Sequence, residues 1–147
     1  MRKSLLTLCL SLCLLNTPAL SEDSRELVRL PPMMRDHMLG NMRDHLKAID
    51  ETFAALSSGE TAQAARIAEN RLGMSSLDSH GASHMAPRMP APMKELGTNM
   101  HKAASRFARM IELSDLDPSL KGQQKVYQAL HEITQNCTAC HDLYRLH

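Results

Sequence analysis

The 147-residue sequence predicts an all-α fold, an antiparallel four-helix bundle. No segment alternates apolar and polar residues over the length of a strand. Apolar residues recur instead at steps of three and four, most regularly at Met38, Met42, Leu46, Ile49, Phe53 and Leu56. That is the seven-residue period of helices packed nearly parallel to their neighbours. Prolines and glycines cut the rest of the chain into further stretches of helical length.

Residues 1–21 read as a secretory leader: Arg2 and Lys3, an apolar run from Leu5 to Leu15, then Thr17-Pro18-Ala19-Leu20-Ser21 with small residues at the cleavage end. The run is too short for a membrane-spanning helix. Leu8 and Leu12 precede Cys9 and Cys13, which argues against a lipoprotein cleavage site. Residues 22–147 then form one small domain in an exported compartment, read as the periplasm.

In that domain the first helix is expected from Pro31 or Pro32 to about Ser57, since a first-turn proline sacrifices no hydrogen bond, with Gly59 as its stop. A short second helix should span Thr61 to Leu72 and close at Gly73. Residues 74–92 are the least regular, an irregular extension turning into a loop, because Pro87, Pro90 and Pro92 interrupt any ladder. A third helix from Pro92 to about Leu113 should bury Leu96, Met100, Ala103, Ala104, Phe107 and Ile111. Asp117 is the expected cap of a fourth, with Pro118 at its first position. This last helix carries Val126, Leu130, Ile133, Cys137, Cys140, His141 and Tyr144 on one face.

The run Cys137-Thr138-Ala139-Cys140-His141 is the chemistry-bearing motif. Two thiols one helical turn apart can add to the two vinyl groups of a porphyrin while the next residue offers imidazole to iron, so the motif implies a single covalent haem c. Other readings fit less well. A disulfide across so small a loop stabilises little. A thioredoxin-like pair needs a βαβ setting, and a structural zinc site needs four ligands at matched spacing. Cys137 and Cys140 are the only cysteines once the leader is gone. With no Trp, two Phe and two Tyr, the chain is poor in flat apolar side chains, which a buried porphyrin would supply.

Removing Arg2 and Lys3 with the leader turns the formal charge of +1 into −1, and no basic stripe points to nucleic acid. Of the histidines, His37 and His45 are expected on the surface or a helix edge, and His101, His131 and His147 have no visible partners. His80 and His84, spaced i, i+4, would make a two-ligand pair if helical. Met74, Met85, Met89 and Met93 around them add soft sulfur, so copper(I) handling by residues 74–93 is one alternative function.

A C-x-x-C-H motif toward the C-terminus of an exported helical domain, followed by Asp142-Leu143-Tyr144-Arg145, resembles the class II c-type cytochromes, which include cytochrome c prime and its low-spin relatives. The likeness is specific over 119–147 and weaker over the first helix, where Met42-Arg43-Asp44 leads to the Ser58-Gly59-Glu60 turn; residues 73–92 depart from the family pattern. The resemblance implies thioethers at Cys137 and Cys140, His141 as proximal iron ligand, and Arg145 beside the haem, against the plainer reading of Arg145 as a solvated cation favourable to the helix dipole. It draws the distal residue from the first helix: Met42, with Met38 as the other choice, or a non-coordinating residue such as Leu39 if the register moves by one. Methionine ligation implies a one-electron carrier serving redox partner proteins, not an enzyme; an open sixth position implies a module binding nitric oxide or carbon monoxide. Family members often pair through their first helices, so a homodimer is also implied.

Overall fold

The computed structural model describes residues 22–147; the expected leader, 1–21, lies outside the described residues. Pro32 opens helix α1 (Pro32–Ser57), which stops at Gly59 in the left-handed region, φ 75°, where a side chain would be strained. Helix α2 (Thr61–Leu72) follows with the expected bounds. Where residues 74–92 are expected as an irregular extension turning into a loop, the segment 73–90 holds a 3-10 turn at Met74–Ser76, a one-turn helix α3 (Ala82–Met85) and a second 3-10 turn at Ala86–Arg88. Helices α4 (Ala91–Ser114) and α5 (Leu120–Leu143) complete the helical set. Among the described residues, no helix is long and apolar enough to cross a membrane.

Two details differ from expectation around α5. Its cap is Ser119, whose hydroxyl oxygen accepts from the Gly122 amide at 3.2 Å, while Asp117 stands one step back and accepts the Ser119 hydroxyl at 2.6 Å. Pro118 therefore lies outside the helix. At the other end the helix stops at Leu143, and Tyr144–Arg145 forms a short strand β2 pairing in parallel with β1 (Glu26–Leu27). The Val28 amide donates to the Arg145 carbonyl at 2.9 Å, and Arg25 reaches the His141 carbonyl at 3.3 Å. Two-residue strands leave no alternation to detect in sequence, yet this pairing ties the C-terminal segment to the start of the domain.

α1 packs along α2, α2 along α4 and α4 along α5, while α1 and α5 approach each other far less closely. One core, shared by these four helices, is rich in alanine: Ala48, Ala55, Ala64, Ala65, Ala68, Ala103, Ala104 and Ala129 surround Phe107, Leu72, Ile111 and Ile133. The expected inward stripe of α1 is corrected accordingly. Leu46 is 70% exposed and Phe53 42%, and the buried face is Met38, His45, Ala48, Thr52 and Ala55. Small side chains let α1 come close to the alanines of α2, and Thr52 sends its hydroxyl back to the Ala48 carbonyl at 2.7 Å, so a polar residue sits inside at little cost. In α4, Leu96 is only partly buried, whereas Met93, His101 and Ala108 join the expected core residues. A second, methionine-bearing core holds Val28, Met38, Met85, Met93 and Tyr144, with Cys140 packed against it.

Candidate functional site

The C-x-x-C-H run lies in the last turns of α5, so Cys137 and Cys140 are one turn apart and His141 follows at once. Cys137 packs on the alanine core and Cys140 on the methionine core, both half-buried and free. Burial pushes both thiols above their ordinary pKa, with the neighbouring Cys137 adding to the effect at Cys140. They are protonated at neutral pH, unlike the thiolate a redox-active C-x-x-C uses.

Cys140 and His141 open onto an apolar crevice of about 300 Å³. Met38, Leu39 and Met42 of α1 form the opposite wall, and Tyr144 and Arg145 line it as well. The crevice thus brings together the expected residues Cys140, His141, Met38, Met42 and Arg145, while Cys137 is packed one turn away on the alanine core. Met38 is buried by packing, whereas Met42 is 36% exposed at the edge. His141 is exposed, as the end of an otherwise amphipathic helix allows. The buried Nε of Arg145 faces an Asp23 carboxylate oxygen at 3.6 Å, an ion pair just beyond hydrogen-bond length, and Nη1 donates to the His147 carbonyl at 3.1 Å.

A second constellation was not legible in the sequence. His45 of α1, His80 of the 73–90 segment and His101 of α4 are each 8% exposed and share one buried cluster, one nitrogen of each lying within 4.8 Å of the others. The expectation of His45 on the surface and of a partnerless His101 is corrected, and so is the His80–His84 pair. Gly81 at φ 64° ends the turn after His80, so helical spacing does not carry to His84, which is exposed. Only the buried identity of the α1 face, hidden behind its bulkier stripe, would have revealed His45.

His45 Nε2 lies 3.4 Å from His80 Nδ1. His101 Nδ1 is 2.7 Å from the Leu72 carbonyl oxygen, which cannot donate, so Nδ1 carries the proton and Nε2 keeps its lone pair. Two further bonds hold the backbone of His80: His37 Nε2 and Asn41 Nδ2 each donate to its carbonyl at 3.0 Å. Ser76 gives its hydroxyl hydrogen to the Gly73 carbonyl at 2.7 Å and presents its oxygen to both His80 and His101. Glu69 accepts from Ser75, and Ser105 accepts from the Met74 amide, pinning this segment to α2 and α4.

Burial and mutual repulsion push His45 down to about 4; burial first, then the neighbouring charges, lowers His80; burial also lowers His101 despite its carbonyl contacts. Among facing charges, Asp44 favours protonation but is held by Arg71, and His37 opposes it. Below the ordinary histidine pKa of 6.5 the unfolded chain therefore binds protons that the folded chain refuses, and stability falls as pH drops from about 6.5 toward 4. At about 1.4 kcal/mol per unit, His45 alone accounts for about 3 kcal/mol of this loss. Urea unfolding at pH 7.5 and 4.5 in a chelating buffer should show that decline, and His45→Gln should flatten it; equal midpoints at the two pH values would refute the assignment.

No family model, curated protein or solved structure matches the chain.

Proposed function

We propose that the protein is a periplasmic monohaem c-type cytochrome built as an antiparallel four-helix bundle, and that it carries single electrons. The observation that carries the reading is the crevice, where Cys140 and His141 face Met38 and Met42 across apolar walls. The residues present fit haem c. Two protonated thiols three residues apart, with an imidazole directly after the second, suit thioether attachment with a proximal nitrogen ligand. Arg145 lines the crevice and would bring a guanidinium cation to a propionate, with its Nε already facing Asp23 at 3.6 Å. The crevice of about 300 Å³ is lined by residues of both α1 and α5.

When bound, the haem supplies a ferric–ferrous couple, so one electron enters or leaves without bond-making catalysis. Cys137 and Cys140 would hold it through thioethers, His141 would supply a nitrogen ligand to the iron, and the crevice residues Met38, Leu39 and Met42 of α1 would give it an apolar setting. Met42 is the better distal ligand. Met38 is packed in the methionine core, while Met42, 36% exposed, lines the crevice outside that core. Partners are other redox proteins rather than nucleic acid.

The purified mature protein should be coloured, heavier than its polypeptide by one haem, and low-spin in its visible spectrum. Met42→Ala should convert that spectrum to high-spin, with carbon monoxide binding on reduction, while Met38→Ala should leave it low-spin. A colourless protein of bare polypeptide mass would refute the proposal. Leu39 also lines the crevice, which gives the gas-binding reading its own support. A wild-type protein that is already high-spin would assign that role instead.

A further inference from the structure

We propose that His45, His80 and His101 hold one copper(I) ion in a buried site separate from the C-x-x-C-H crevice. The three imidazoles come from α1, the 73–90 segment and α4, so the site exists only once the chain has folded. Ligand nitrogens about 2.0 Å from a common ion stand about 3.3–3.5 Å apart in tetrahedral or trigonal geometry. His45 Nε2 and His80 Nδ1 are 3.4 Å apart, the spacing of two ligands of one ion, and the proton that His80 Nδ1 offers the Ser76 oxygen at 3.3 Å would move to Nε2 when the ion binds. The Leu72 carbonyl fixes the His101 tautomer in the manner of an outer-sphere partner, leaving Nε2 as a lone-pair donor.

Charge and softness favour copper(I) over a divalent ion. Three neutral imidazoles bring no negative charge, and Asp44, the chain neighbour of His45, is engaged by Arg71. A buried +1 ion costs about a quarter of the desolvation energy of a +2 ion, since that energy grows as the square of the charge. Next to the cluster lies a cavity of about 140 Å³ lined by Met38, Met42, Met85, Met89 and Met100, whose thioethers suit a soft ion on its way in. The cavity shares Met38, Met42 and Met89 with the crevice beside Cys140, but no histidine of the cluster lines that crevice. The site stands whether or not haem is attached. It also differs from a copper site at His84, which is exposed and outside the cluster.

The test is an anaerobic copper(I) titration of the full mature chain against a coloured copper(I) chelator, followed by X-ray absorption of the loaded protein. The expected result is one ion retained per chain with nitrogen scatterers at about 2.0 Å. His45→Gln and His101→Gln should each abolish retention at a chelator concentration where the wild type, His84→Gln and His131→Gln remain loaded. Helical circular dichroism checks that the variants fold. If a variant unfolds, the wild-type absorption spectrum still decides by its nitrogen or sulfur scatterers. Failure to retain copper(I), sulfur-dominated binding that survives the histidine substitutions, or retention of zinc(II) to the exclusion of copper(I) would each overturn the proposal. The haem reading is scored apart, by mass and visible spectrum.

Discussion

Replacing Cys137 and Cys140 together by serine should give a colourless protein whose mass equals that of the polypeptide, because serine hydroxyls do not add to the haem vinyl groups under these conditions. Under the proposed haem attachment the effect is expected to be complete rather than graded: both covalent links would disappear, leaving His141 as the only group to hold haem through purification. Stability should fall with it. A porphyrin buried in the crevice of about 300 Å³ would contribute apolar burial and iron ligation that only the folded chain can make, and the variant would lose both. For a domain of this size, several kcal/mol lost corresponds to a drop in melting temperature of order 10 °C. His141→Ala provides the complementary result, since the thioethers remain: mass and colour are retained, but the spectrum changes with the lost nitrogen ligand. A double-serine variant that keeps its colour and added mass would sink the attachment model.

The largest purely structural effect is expected at Phe107. It is 1% exposed at the centre of the alanine-rich core, where most neighbours are too small to close over a void. Phe107→Ala should therefore cost about 3–5 kcal/mol, the upper end for large-to-small core substitutions, because the cavity term adds to the lost transfer energy. Chemical denaturation of the wild type and variant in their purified form measures this directly. A loss below about 1 kcal/mol would mean that the helices collapse into the space, and that the core is far softer than its packing implies.

The bounds of α1 and α2 agree with the reading of Pro32, Gly59 and Gly73, because these residues act through their own backbone conformations. The inward face of α1 was harder to read. A scale that rewards bulk selects Leu46 and Phe53, yet close approach to α2 rewards Ala48, Thr52 and Ala55. His45 follows that rotated face into the interior. The strand pairing of Glu26–Leu27 with Tyr144–Arg145 was invisible for a different reason: it is too short for a period and joins residues more than a hundred positions apart.

Sequence alone determined the helical class, most helix boundaries, and the placement of two thiols and an imidazole within one turn, because each depends on residues a few positions apart. Only the tertiary structure decided that Met38, Met42 and Arg145 share a crevice with Cys140 and His141, and that His45, His80 and His101 converge in the interior. Both convergences depend on which face each helix turns inward. Packing between distant segments sets that choice, and no periodicity within one segment records it.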